Sequence, residues 1–217
     1  MMASKSFRML ALGDSYTIGS SLPKEDSWPY QLTSQLCQIG IKIANPFIIA
    51  QSGWTSLNLI EALNANPPQG SFDLVCLQIG VNDQYERIEA SFYDENFRDL
   101  LDQSIGLARR GPDGVLVLSI PDWSVTPHAG EFDRSQVREE LGQYNAINLA
   151  AALSRGVKYV DLTSNSRFAK QHPELLADDG LHPTWEMYWN WTGLIQPTAL
   201  SILRSTTENS DHNPSAD

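Results

Sequence analysis

Short apolar segments that end near glycine or proline alternate along the chain with longer amphipathic segments. The apolar segments have the length and composition of buried strands: residues 7–12, 41–50, 72–79, 115–120 and 156–162. The segments between and after them have apolar residues at helical spacing: residues 28–39, 56–63, 92–109, 135–154 and 185–203. This alternation predicts an α/β fold with a parallel sheet and helices on both faces. We expect a single domain over residues 1–204 and a disordered polar tail over residues 205–217.

The charge balance excludes two classes of partner. The chain of 217 residues has 15 Lys and Arg against 26 Asp and Glu, a formal net charge of −11. Nucleic acids and anionic membranes both select basic surfaces, so we expect neither as a partner. The sequence has no visible signal peptide and no membrane span, which predicts a cytoplasmic protein. It leaves the oligomeric state open.

The two cysteines, Cys37 and Cys76, both lie in apolar segments. Two cysteines cannot form a zinc site by themselves. We expect both to be buried free thiols.

Polar residues follow two of the predicted strands, where ligands bind in sheets of this kind. Gly13-Asp14-Ser15 follows the strand at residues 7–12, and Gly80-Val81-Asn82-Asp83 follows the strand at residues 72–79. Neither segment has a phosphate-binding pattern such as GxGxxG or GxxxxGK[ST]. Taken singly, both could be ordinary turns in which Asp, Asn or Ser caps the next helix.

Asp179 and His182 lie three residues apart near the end of the domain. On one helical turn their side chains can meet, which is the contact between carboxylate and imidazole in a catalytic triad. An isolated Asp-x-x-His pair of residues is more often an incidental contact at the surface or at a helix cap. Among the other histidines, His128 is expected to be a surface residue, His172 lies in a polar stretch and His212 lies in the tail.

Together and in this order, these segments resemble the GDSL esterase/lipase family of the SGNH hydrolase superfamily. Four blocks carry the resemblance: Gly13-Asp14-Ser15, Gly53 in Gln51-Ser52-Gly53-Trp54-Thr55, Gly80-Val81-Asn82-Asp83, and Asp179-Gly180-Leu181-His182-Pro183. Tyr16 stands where the family motif has leucine. The resemblance covers about residues 7–203. It implies the SGNH hydrolase fold, a three-layer α/β/α sandwich whose parallel, flavodoxin-like sheet has about five strands.

The resemblance also implies which residues carry the reaction. Ser15 is expected to be the nucleophile, His182 the general base and acid, and Asp179 its orienting partner. The backbone N–H groups of Ser15 and Gly53 and the side-chain amide of Asn82 are expected to form the oxyanion hole. Neither a metal nor an organic cofactor is required.

Further residues are candidates for supporting the site or lining the substrate pocket. Asp14 and Asp83 are expected to accept backbone N–H groups of the loops that hold the nucleophile and the oxyanion-hole amide. Four ring side chains could line the pocket: Trp54, Tyr85, Trp123 and His128. For Trp54 and Trp123, simple packing is an equal alternative. The irregular segment of residues 121–133 is expected to shape specificity. Three aromatic residues at helical spacing are expected in the core: Trp185, Tyr188 and Trp189.

We therefore expect a serine hydrolase that cleaves carboxylic esters of small molecules. The sequence has no long apolar lid, which favours short acyl groups. Carbohydrate O-deacetylation and lysophospholipid or thioester hydrolysis use the same residues and remain alternatives. A non-catalytic binding module on a flavodoxin-like fold is an alternative of another class. Loss of Ser15, Asn82 or His182 would favour that module, but all three are present.

Overall fold

Five parallel strands form one sheet at the centre of the computed structural model, which describes residues 6–210. They are β1 (Met9–Gly13), β2 (Phe47–Ala50), β3 (Leu74–Gln78), β4 (Val115–Leu118) and β5 (Lys158–Val160). Their order in the sheet is β2-β1-β3-β4-β5, and every neighbouring pair is parallel. The predicted parallel sheet is confirmed. β2 is much shorter than its apolar segment and begins after Pro46, which has no N–H to donate to a sheet.

Helices cover both faces of this sheet, which confirms the predicted three-layer arrangement. They are α1 (Ser15–Ile18), α2 (Trp28–Gln38), α3 (Ser56–Ala65), α4 (Val81–Tyr85), α5 (Ala90–Leu107), α6 (Arg134–Ser154), α7 (Thr163–Ser166) and α8 (Trp185–Ser210). α2 packs against α8, while α5 packs against both α3 and α6. None of the helices in residues 6–210 combines the length and the apolar character that crossing a membrane requires.

The central strands are buried along their whole length. Every residue of β1, β3 and β4 is buried, whereas the edge strand β2 is half-buried or exposed. Strands covered by helices on both faces have this continuous apolar character. Cys76 in β3 is buried as expected, and burial raises the pKa of its thiol. The prediction for Cys37 is wrong, because it lies on the solvent side of α2.

The last helix of the chain is longer than predicted. α8 continues past Arg204 to Ser210, so the predicted tail begins as helix. No glycine or proline interrupts residues 198–213, so nothing stops the helix at 204. The rest of the predicted tail, residues 211–217, lies outside the described residues.

The aromatic residues at the start of α8 divide between core and surface. Tyr188 is buried, but Trp185 and Trp189 are each 43% exposed and stack with ring centroids 5.2 Å apart. Residues four positions apart lie on the same helix face. The two tryptophans therefore pack against each other on the outer face of α8 rather than in the core.

Candidate active site

The carboxyl ends of β1 and β3 bring two of the predicted blocks side by side. β2 and β3 flank β1 on opposite sides, and such a reversal of strand order opens a crevice for ligands in α/β sheets. Ser15 is the first residue of α1 and lies two residues after Gly13, the last residue of β1. Asn82 lies in the first turn of α4. A cavity of about 200 Å³ opens here, lined by Ser15, Tyr16, Val81, Asn82, Tyr85, Trp123, His128, Leu181 and His182.

Asp14 shapes the turn that presents Ser15. It is the N-cap residue of α1, and its Oδ1 accepts the backbone N–H of Tyr16 at 3.0 Å. The side chain is completely buried, and this burial, opposed by the hydrogen bond from Tyr16 and reinforced by the charge of Asp83, raises the pKa of Asp14 to about 7. Thr17 Oγ1 donates to Gln78 Oε1 at 3.4 Å, which links α1 to the end of β3.

Gly80 allows α4 to begin directly after β3. Its φ is +123°, and a Cβ at this position would lie 2.3 Å from Tyr93 Oη, so only glycine fits. Two residues later, Asn82 Nδ2 donates a hydrogen bond of 2.9 Å to the Trp54 carbonyl. A side-chain amide has two N–H donors, so this bond leaves Asn82 one more to offer.

Asp83 supports a different loop from the one predicted. Its Oδ2 accepts the Ser56 N–H at 2.8 Å, and its Oδ1 accepts the Ser56 hydroxyl at 2.5 Å. Asp83 therefore holds the start of α3, just after the Gly53 block, rather than the loop of Asn82. Burial raises the pKa of Asp83, although the bonds from Ser56 oppose this effect.

Gly53 lies in an exposed turn between β2 and α3. Its φ is +83° and a Cβ there would meet nothing within 4 Å, so the backbone conformation, rather than crowding, selects glycine. Ser52 and Ser20 place their hydroxyl oxygens 2.5 Å apart, which ties this turn to the segment after α1. Neither Gly53 nor Trp54 is among the described residues that line the cavity. The Trp54 side chain packs against the core, and its carbonyl is the part that reaches Asn82.

Asp179 and His182 form the predicted pair. Asp179 Oδ2 lies 2.7 Å from His182 Nδ1, and its Oδ1 accepts the backbone N–H groups of Leu181 and His182 at 2.9 Å each. The Ser21 hydroxyl, which the sequence did not point to, also donates to Asp179 Oδ2 at 2.5 Å. Partial burial opposes ionisation, but the hydrogen bonds from Ser21 and His182 hold the pKa of Asp179 well below its usual range. The ionised carboxylate then fixes the hydrogen of His182 on Nδ1 and leaves Nε2 for proton transfer.

Ser15 and His182 line the same cavity, but no hydrogen bond joins them in the described part of the chain. The His182 ring packs against Tyr16, with ring centroids 5.5 Å apart. Catalytic hydrogen bonds are often long in structures without substrate and tighten in the complex. The structure thus brings Ser15, Asn82 and His182 to one cavity, with Asp179 hydrogen-bonded to His182.

One wall of the cavity is a cluster of rings from the β4–α6 loop and α4. Trp123 is 2% exposed, and its indole N–H donates to Gln84 Oε1 at 2.8 Å. Tyr85, Phe132 and His128 pack around it with ring centroids 5.1–5.9 Å from that of Trp123. His128 was expected at the surface and was also one of the four ring candidates for the pocket. It is exposed and lines the cavity.

No group of three or more His, Cys, Asp or Glu side chains within residues 6–210 is arranged to hold a metal ion. The donors at the cavity are a hydroxyl, an amide and an imidazole. These groups are suited to nucleophilic attack, hydrogen-bond donation to an oxyanion and proton transfer.

The chain is similar to known proteins in sequence and in fold. The model of the GDSL-like Lipase/Acylhydrolase family matches residues 11–189. A protein from Vibrio mimicus named an arylesterase is 27% identical over 181 residues, which cover 81% of this chain and 80% of that protein.

Solved structures show the same fold. A member of the lipolytic protein G-D-S-L family from Veillonella parvula is 15% identical with a TM-score of 0.66, over 91% of this chain and 98% of that one. An acetylxylan esterase from Geobacillus stearothermophilus is 18% identical with a TM-score of 0.66, over 94% of this chain and 96% of that one.

Proposed function

Since the chain belongs to the GDSL-like lipase/acylhydrolase family and is a carboxylic ester hydrolase, we propose that it cleaves short-chain acyl esters with Ser15, His182 and Asp179 as its catalytic triad. The observation that carries the proposal is the single cavity of about 200 Å³ lined by Ser15, Asn82 and His182, with Asp179 hydrogen-bonded to His182.

In the proposed reaction, Ser15 Oγ attacks the ester carbonyl carbon while His182 Nε2 takes the hydroxyl proton. The tetrahedral intermediate collapses, and His182 returns the proton to the leaving alcohol. Water, activated by the same imidazole, then releases the acid from the acyl-enzyme. Asp179 remains ionised throughout and stabilises the imidazolium through the bond of 2.7 Å to Nδ1.

The oxyanion forms beside the N-terminus of α1 in this proposal. The second N–H of the Asn82 amide and the backbone N–H of Ser15 are its donors, and Gly53 supplies the third from the neighbouring turn. The Asn82–Trp54 bond fixes the amide before substrate binds, so donation to the oxyanion requires no reorganisation. The open space around Gly53 leaves room for an ester oxygen to approach its backbone.

The size and walls of the cavity support a small substrate. Pockets for drug-sized ligands are typically about 300–1,000 Å³, and this cavity is about 200 Å³. The rings of Tyr85, Trp123 and His128 suit a flat leaving group or a short acyl chain. The Vibrio mimicus relative is named an arylesterase, which agrees with esters of aromatic alcohols. Hydrolysis of long-chain lysophospholipids or thioesters would need a longer groove, whereas deacetylation of carbohydrates remains an alternative of matching acyl size.

A panel of p-nitrophenyl esters of increasing acyl length, with acetylated sugars and a lysophospholipid beside it, tests the substrate class. We expect kcat/KM to be highest for the shortest acyl groups and to fall steadily with length. A preference for long acyl chains would refute the short-acyl proposal. Faster cleavage of acetylated sugars than of aryl acetates would instead select the carbohydrate deacetylase.

A fluorophosphonate probe tests the nucleophile. It should label the wild type and the control Ser34→Ala, which changes an exposed serine of α2, but not Ser15→Ala. Loss of Ser15 or His182 should lower turnover by roughly 10⁶-fold, and loss of Asp179 by less. Equal labelling of Ser15→Ala and wild type would refute the assignment. We also propose a cytoplasmic location, which fractionation of the native cells would test.

A further inference from the structure

A second cavity, of about 440 Å³, adjoins the turn that carries Trp123. Its lining residues come from this turn, the start of α6 and the segment after α7: Ser124, Val125, Arg134, Ser135, Arg138 and Lys170. None of them lines the catalytic cavity. The neighbours Trp123 and Ser124 thus line different cavities.

The lining of this second cavity is cationic although the chain has a net charge of −11. Arg138 Nε lies 3.4 Å from the buried carboxylate of Asp122, which Arg167 also contacts at 2.7 Å. Arg134 and Lys170 form no ion pair with any residue in the described ranges. Two cations without a carboxylate partner therefore line one cavity, where their mutual repulsion favours a bound anion.

Ser124 supplies an independent indication of a ligand. It is 1% exposed, and its hydroxyl has no hydrogen-bond partner among the described residues. Its backbone is fully used, because its N–H donates to Asp122 and its carbonyl accepts from Arg134. Buried polar atoms are almost always hydrogen-bonded. The hydroxyl is therefore the one polar group of Ser124 that no described residue satisfies, and it lies just beneath the cavity surface.

We propose that this cavity binds the phosphate group of a small phosphorylated molecule. A phosphate dianion matches the charge of Arg134 and Lys170, and its oxygens can accept from the guanidinium, the ammonium and the Ser124 hydroxyl together. The N–H groups of Ser135 and Gln136 in the first turn of α6 do not contribute, because Asp133 already accepts both. The volume exceeds that of phosphate alone and leaves room for the rest of the molecule.

Calorimetric titration with inorganic phosphate, with chloride holding the ionic strength constant, tests the site. We expect saturable binding by the wild type with a dissociation constant of about 1 mM or tighter. Arg134→Gln/Lys170→Gln should weaken binding by at least about tenfold, and Ser124→Ala should weaken it less. The control Lys24→Gln/Lys158→Gln removes the same charge from exposed positions and should bind like the wild type.

A labelling experiment locates the bound phosphate. Phosphate should slow the reaction of the Lys170 amine with an acylating reagent, while Lys24 reacts at an unchanged rate. Unchanged cleavage of a short ester by the double variant would show that it is folded. No heat of binding, equal affinity in the double variant, or equal protection of both lysines would each overturn the proposal.

Discussion

Replacing Asp14 with asparagine should stabilise the protein at neutral and alkaline pH. Asp14 is 1% exposed, and burial raises its pKa from the ordinary value of 3.8 to about 7. Between these two pH values the folded state holds a proton that the unfolded chain has lost. The free energy of unfolding therefore falls as pH rises through this window. Above pH 7 the folded state bears the full destabilisation of a buried, ionised Asp14.

The size of the effect follows from the same pKa. One pKa unit corresponds to about 1.4 kcal/mol, so the whole window is worth about 4 kcal/mol. Asparagine is as good an N-cap residue as aspartate, and its side-chain oxygen can still accept the Tyr16 N–H. The substitution thus removes the ionisation and leaves the turn before Ser15 intact.

Urea unfolding of the wild type and Asp14→Asn between pH 4 and pH 8.5 tests this reasoning. The two stabilities should nearly coincide at about pH 4 and separate by a few kcal/mol in favour of the variant at pH 8. Asp99→Asn, at an exposed position of α5, serves as the control and should run parallel to the wild type. Parallel curves for Asp14→Asn as well would refute the raised pKa. A large loss of kcat in this variant would give Asp14 a role in the reaction itself.

Three further predictions concern the site and the end of the chain. Asn82→Ala should lower kcat by about 10²–10³-fold with little change in KM. Asn82→Asp should lower kcat further, because it places a hydrogen-bond acceptor where the oxyanion forms. A kcat within about threefold of wild type for both variants would refute the oxyanion role. Ser21→Ala should lower kcat by about tenfold without changing KM, because Asp179 loses a charge-assisted hydrogen bond that helps to orient His182. An unchanged kcat would show that this hydrogen bond does not contribute to catalysis. Deleting residues beyond Arg204 should leave the kinetics of ester cleavage unchanged, and lost activity would mean that the last turns of α8 contribute to the site.

The order of the elements was predictable because continuous apolar runs are typical of strands that are covered on both faces. The runs at residues 7–12, 72–79 and 115–120 became the buried β1, β3 and β4. Element ends were less predictable, since they depend on contacts rather than composition. α8 extends because nothing interrupts it, and exposed Trp185 and Trp189 have the same helical spacing as core residues.

The motifs identified residues at the site, but not the contacts that hold them. Asp179 and His182 are close in sequence, so their bond could be expected from spacing. Ser21 is 158 positions from Asp179 and belongs to no motif, so only the fold brings it there. His128 was one of the four ring candidates for the pocket, and its packing against Trp123 forms part of the cavity wall.

Four aspartates at this edge of the sheet show how the surroundings divide one residue type into different roles. Asp14, Asp83 and Asp122 follow β1, β3 and β4. Each is 1% exposed and accepts one backbone N–H group, from Tyr16, Ser56 and Ser124 respectively. Asp14 and Asp83 have no described cation in contact, and burial raises the pKa of both. Asp179 differs from Asp14 and Asp83 because its hydrogen bonds outweigh its partial burial and hold its pKa below the usual range, and of the four it alone contacts His182. A carboxylate that must stabilise an imidazolium has to be ionised at the working pH. Asp179 therefore meets the electrostatic requirement of the proposed triad and contacts its histidine, while the buried aspartates accept backbone N–H groups and hold the neighbouring segments in place.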